Sequence, residues 1–135
     1  MIHVAINGFG RIGRETASIA IGCGMKVIAY DPYLTEGEVK LNLHQEYKSE
    51  FSVTIKTISK ESLLAEADFI SLHIPGGQGY VLDSAEFQQM KNGVGIVNCA
   101  RGGTINESAL IEAMNSGKVK YVATDVFEKE PPVDD

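Results

Sequence analysis

The chain is poor in the residues that build disulfide scaffolds, metal centres and nucleic-acid surfaces. It has no tryptophan and, among 135 residues, two cysteines, three histidines and four prolines. Cys23 and Cys99 form no CxxC pair and sit in apolar segments. That pattern argues against a disulfide framework and predicts buried free thiols in a reducing compartment, the cytoplasm. His3, His44 and His73 are scattered, with no HxxxH or Cys/His cluster, so no metal site is expected. Positive charge is also short: 12 Lys and Arg against 18 Asp and Glu leave a net charge of −6. Without a basic patch, an acidic surface argues against nucleic acid or an anionic membrane as partner. No apolar run approaches the ~20 residues of a membrane span, and no signal-peptide pattern is present. Internal repeats and low-complexity tracts are missing too. The length fits one domain, residues 1–135, able to bury roughly two-thirds of its unfolded surface.

What is present begins at once. Ile2 to Ile6 is a short β-rich run suited to a parallel strand buried on both faces. Gly8-Phe9-Gly10-Arg11-Ile12-Gly13 follows, and then a helical pattern over Arg11 to Ile21. Gly8 permits a tight turn, Gly10 lets main chain approach a pyrophosphate, and Gly13 lets the helix pack close to the strand. The helix start aims free N–H groups and the positive end of its dipole at an anion. Lys26 to Tyr30 reads as the second strand, and Asp31 ends it 18 residues past Gly13. A carboxylate there accepts hydrogen bonds from ribose hydroxyls and repels a 2′-phosphate, favouring NAD over NADP. A glycine-rich turn that binds nothing is the plain alternative. The strand before, the helix after and the acid at the expected distance favour a dinucleotide-binding βαβ unit.

Downstream the chain keeps alternating. Pro32 turns it out of the second strand, and 33–51 is polar with no clear period. Ser52 to Thr57 reads as a short edge strand. Ser59 is placed to cap a helix over Lys60 to Ala67, and Asp83-Ser84-Ala85-Glu86 has capping-box form for a helix reaching Met90. Phe69 to His73 and Val94 to Asn98 are strands; Asn106 caps a helix through Met114 that Gly117 stops. Val119 to Phe127 is the last strand. The order predicts a Rossmann-type α/β fold, a doubly wound, mostly parallel sheet in a single three-layer domain. Ligands of such sheets bind beyond the carboxyl ends of the strands. Those ends carry the Gly8 turn, Asp31, His73-Ile74-Pro75, Cys99-Ala100-Arg101 and Asp125, and one crevice is expected to collect them.

Asp68 to Pro75, Met90-Lys91-Asn92-Gly93, Val97-Asn98-Cys99-Ala100-Arg101-Gly102-Gly103 and Asp125 to Pro131, in that order, resemble the D-isomer-specific 2-hydroxyacid dehydrogenases. The resemblance runs from Gly8 to Pro132. It implies an NAD-binding domain whose parent transfers hydride between a 2-hydroxy acid and NAD. Arg101 matches the family arginine that clamps the substrate carboxylate and polarises its oxygen. Glu130 matches the acid that raises the pKa of a catalytic histidine. Asp125 matches the residue that positions the nicotinamide carboxamide. The rest of the expected cofactor set is Gly8, Gly10, Arg11, Ile12, Gly13, Asp31, His73, Ile74, Pro75, Cys99 and Ala100. Pairing of copies through this domain is also implied.

Departures from the family bear on activity. The partner histidine belongs beyond Glu130, and none of His3, His44 and His73 matches it. His73 is expected to line the cofactor cleft, His3 to be a packed or edge residue and His44 to be solvated. Met1 abuts the first strand, so the expectation is a nucleotide-binding domain without its substrate-binding domain. After Pro75, Gly76-Gly77-Gln78-Gly79 replaces the family's Leu-Thr and following threonine. The first fourteen residues also resemble glyceraldehyde-3-phosphate dehydrogenases, but neither cysteine has the Ser-Cys-Thr-Thr setting of that family's nucleophile. Three readings follow: a module that binds NAD(H) with little turnover, a half-enzyme completed by another chain, and an NAD-sensing regulator.

Overall fold

A computed structural model of the chain describes residues 1–41, 43, 45–47 and 49–132. The expectation for His44 therefore lies outside the described residues.

Five strands form one parallel sheet: β1 (His3–Asn7), β2 (Lys26–Tyr30), β5 (Phe69–Leu72), β6 (Val94–Asn98) and β7 (Val119–Thr124). Their spatial order is β2-β1-β5-β6-β7. The order runs outward from β1 in both directions, so the point where it reverses lies between β1 and β5. At such a point two strand-end loops diverge and leave a crevice. The alternation of β1 divides the core. Val4 and Ile6 face one side, with Phe9, Ala17, Ala20 and Ala29. Ala5 faces the other, with Leu63, Leu64, Ile70 and Leu72.

Helix α1 (Arg11–Gly22) covers the first side, burying Gly13, Ala17 and Ala20. Small residues on that stripe let the helix axis approach the sheet. Helices α2 (Lys60–Glu66), α3 (Ser84–Gln89) and α4 (Glu107–Asn115) cover the second. Each starts where its cap predicts: Ser59 Oγ accepts from Ser62 N at 3.1 Å, Asp83 and Glu86 make a reciprocal capping box, and Asn106 Oδ1 accepts from Ala109 N at 3.3 Å. Such caps contribute about 1 kcal/mol each. Leu63 and Leu64 are fully buried beneath α2, each worth roughly 1.5–3 kcal/mol of apolar transfer. No helix among the described residues is long and apolar enough to cross a membrane.

Three expectations need correction. The segment after Asp31 contains a strand that polarity hid, β3 (Glu36–Leu41), antiparallel to β4 (Phe51–Lys56) in a separate two-stranded sheet. The expected edge strand thus pairs with β3 rather than joining the main sheet. The hairpin forms because Val39 is fully buried in the α1-side core and Gly37 leaves room for the Phe9 ring. A Cβ on Gly37 would sit 2.5 Å from Phe9 Cε2. Second, β7 ends at Thr124, not Phe127. The Thr124 hydroxyl donates to Val126 O at 2.7 Å and turns the chain out of the ladder. Third, both cysteines are exposed, not buried. Cys23 is the residue that caps the end of α1, and Cys99 follows β6 at the open edge of the sheet.

Candidate functional site

The carboxyl end of β1 turns sharply at Gly8, which has φ +98° and donates its N–H to Tyr30 O at 2.9 Å. Only glycine takes that φ without strain. A side chain there would also meet the His73 carbonyl oxygen 2.5 Å from its Cβ. Gly13 is constrained differently: an added Cβ would fall on the Gly8 carbonyl oxygen and lie 3.0 Å from Ile6 Cγ2. Helix and turn therefore touch main chain to main chain. Gly10, between them, faces open space, with no heavy atom within 4 Å of where a Cβ would lie.

Asp31 is built into the same turn. Its Oδ2 accepts from Phe9 N and its Oδ1 from Tyr33 N, both at 2.8 Å. Two main-chain donors hold the carboxylate in one orientation, and each oxygen keeps acceptor capacity to spare.

Two adjoining cavities open along this edge. The first, about 390 Å³, is lined by Gly8, Gly10, Asp31, His73, Ile74 and Pro75, together with Asn7, Tyr30, Pro32, Tyr33, Lys60, Gln78, Tyr80 and Val81. The second, about 290 Å³, is lined by Ile12, Cys99, Ala100 and Arg101 and shares His73, Ile74 and Pro75. The expected single crevice is thus two lobes meeting at the end of β5. Arg11 and Gly13 line neither lobe: Arg11 is exposed and Gly13 is buried against the turn. Asp125 and Glu130 also stand outside both. The register pairs Asn98 with Thr124, which sets exposed Asp125 beside Cys99 at the sheet edge, but its side chain lines neither lobe. Glu130 Oε1 accepts from Phe127 N at 3.0 Å, closing its own loop. Arg101 is exposed and donates from Nη1 to Ala100 O at 2.7 Å.

The residues that sequence reasoning missed fall into two groups. Asn7, Tyr30, Pro32 and Tyr33 adjoin Gly8 and Asp31 in the chain and could have been inferred from adjacency. Lys60, Gln78, Tyr80 and Val81 arrive from α2 and the loop after Pro75, and no spacing points to them. Lys60 Nζ is held by Glu86 Oε1 at 3.1 Å. The Glu128 carboxylate beside the Tyr80 hydroxyl pushes that phenol's pKa up.

His73 sits where the lobes meet. Its Nε2 is 2.8 Å from Ser71 Oγ, and its backbone N donates to Asn7 O at 2.8 Å. Burial lowers its pKa below the ordinary value of 6.5. The folded state therefore favours the neutral ring, and between its lowered pKa and 6.5 the unfolded chain binds more protons. Stability is expected to fall as pH drops from 7.5 to 5.5, with His73→Gln flattening that slope. Urea midpoints at the two values measure it; an identical slope in both proteins would refute this role for His73.

A dinucleotide fits these residues on two observations. Gly10 leaves empty the space that a phosphate would take. In addition, α1 has no side-chain cap and no acid in its first turn, whereas the other three helices have both. Its leading N–H groups are thus left for an outside anion.

Comparison with known proteins agrees. The family model described as "D-isomer specific 2-hydroxyacid dehydrogenase, NAD binding domain" matches residues 2–135. A hydroxypyruvate reductase of Thermotoga maritima is 43% identical over 130 residues, covering 95% of this chain and 38% of the relative. D-3-phosphoglycerate dehydrogenase 3, chloroplastic, of Arabidopsis thaliana is 41% identical over 134 residues, covering 98% of this chain and 21% of the relative. The chain therefore spans well under half the length of these relatives. Among solved structures, the D-lactate dehydrogenase of Aquifex aeolicus complexed with NAD and lactic acid superposes with a TM-score of 0.78. It is 31% identical, with 96% of this chain and 36% of that one covered.

Proposed function

The chain belongs to the D-isomer-specific 2-hydroxyacid dehydrogenase family as its NAD-binding domain, and from that premise we propose the site's residue roles and the parent reaction. The parent reaction is the NAD-linked oxidation of D-3-phosphoglycerate. The similarity to phosphoglycerate dehydrogenases over nearly the whole chain supports that substrate. The observation that carries the site reading is the first lobe, where the Gly8 turn, the open face of Gly10 and the oriented Asp31 carboxylate line one cavity.

In this reading the uncapped start of α1 holds the diphosphate, Asp31 holds the adenosine ribose, and His73, Ile74 and Pro75 form the floor between the lobes. The second lobe takes the nicotinamide half, against Ile12, Cys99 and Ala100, with Asp125 at its border. NAD supplies the hydride acceptor. Arg101, exposed at the rim, offers its guanidinium fork to the substrate carboxylate. Glu130 serves as the acid that holds a histidine protonated. None of His3, His44 and His73 matches that histidine, so general acid–base assistance of ~10²–10⁴-fold is expected only where such a histidine is supplied. Free thiols at Cys23 and Cys99 support a reducing compartment, the cytoplasm. Pairing of copies belongs to the same reading.

The test is a fluorescence titration with NADH beside an assay with 3-phosphoglycerate. Binding with negligible turnover is expected. Robust turnover by the chain alone would contradict the module reading, and turnover restored only by a second chain would favour the half-enzyme. No NADH binding would remove the cofactor assignment.

A further inference from the structure

Asn7 is the last residue of β1, directly before the glycine turn. The residue is 1% exposed, and its Nδ2 has no hydrogen-bond partner among the described residues. A buried primary amide with an unmade donor bond destabilises the free protein. On the same face of β1 the preceding buried position holds an apolar side chain, Ala5. The corresponding buried position two strands away on β6, Asn98, shows what a structural asparagine looks like here: its Nδ2 donates to Thr104 Oγ1 at 3.1 Å, and its Oδ1 accepts from Ala100 N at 3.1 Å. Asn7 has no such arrangement.

The residue that carries the unmatched donor borders a cavity. Asn7 lines the lobe that holds Gly8, Gly10 and Asp31, and it does not line the lobe of Cys99 and Arg101. Three other polar side chains of its lobe have protein partners: Asp31 two main-chain amides, Lys60 the Glu86 carboxylate, and the His73 ring the Ser71 hydroxyl. We propose that Asn7 is a cofactor-contacting residue whose amide donates to an acceptor on the adenosine half of the dinucleotide. The inference rests on the NAD reading and adds to it a residue that the glycine-loop pattern does not contain. Its logic is that a group left unsatisfied in the free protein is satisfied by the ligand, so that stability of the free chain is given up for affinity.

Asn7→Leu separates this role from a structural one, because the two side chains have similar volume and leucine removes the stranded donor. The variant's free form is expected to melt a few degrees higher. Its affinity for NADH and for ADP-ribose should fall by the same factor, about tenfold, the equivalent of one hydrogen bond. Calorimetry with both ligands and a thermal melt read the two quantities. An Asn7→Leu chain that is stabilised yet binds both ligands like wild type overturns the inference and leaves the NAD reading standing. So does one that loses stability, since Asn7 would then belong to the protein's own network. A fall for NADH alone, with ADP-ribose unchanged, also overturns it by moving the contact off the adenosine half. A wild-type chain that binds neither ligand removes the inference together with the cofactor assignment.

Discussion

Gly13→Ala is expected to abolish measurable NADH binding while leaving a folded but weakened domain. The substituted methyl has nowhere to go. It would fall on the Gly8 carbonyl oxygen and press on Ile6 Cγ2 at 3.0 Å. The first obstacle is main chain rather than a side chain that could rotate away, so relief requires α1 to move off β1. Overpacking of this kind costs about 1–3 kcal/mol. The same motion carries the leading N–H groups of α1 away from the diphosphate position, and Ala17 and Ala20 lose their close seat on the sheet. Affinity should fall at least a hundredfold, because small misplacements of a preorganised site have effects of that order. Urea denaturation and NADH titration on one preparation measure both effects. Wild-type affinity in the variant would mean that the turn tolerates a side chain and is not the anion seat.

Asp31→Ala is expected to weaken NAD by roughly tenfold to a hundredfold, the range for hydrogen bonds to a charged group, and to narrow the gap between NAD and NADP. The substitution has a structural component. Phe9 N and Tyr33 N both lose their acceptor, and Phe9 is fully buried. A drop in the free protein's stability is therefore expected whatever the ligand. The ratio of NAD to NADP affinity cancels that component, because both cofactors meet the same damaged turn. Removing the carboxylate removes its repulsion of the 2′-phosphate and so moves the ratio toward one. An unchanged ratio would mean that Asp31 orients the turn without facing the ribose.

The parts of this molecule that were legible in its sequence are those where one local cause dominates. β2, β6 and the starts of all four helices fall where hydrophobic runs, caps and glycines place them. The side of the first lobe formed by the Gly8 turn and Asp31 was legible for the same reason, since the two are joined within one βαβ unit. Features set by tertiary contact were not. β3 has a single buried apolar side chain, Val39, and a glycine that only the Phe9 ring explains. Cys99 looked buried because its neighbours in β6 are; one residue past the strand, it faces the open edge. Asp125 was placed with the cleft as a strand-end residue and, like Glu130, by the family resemblance, whereas the turn at Thr124 and the Glu130 bond to Phe127 N set them at its margin. Asn7 was passed over because an asparagine in a strand is ordinary until its burial and its unmatched donor are seen together.

A crystal of the chain grown with saturating NAD decides where the dinucleotide sits. The diphosphate oxygens are expected within hydrogen-bond distance of the main-chain N–H groups that open α1, with the adenosine ribose hydroxyls on the Asp31 carboxylate. An adenosine lodged elsewhere, or a diphosphate that does not touch the start of α1, would contradict the account.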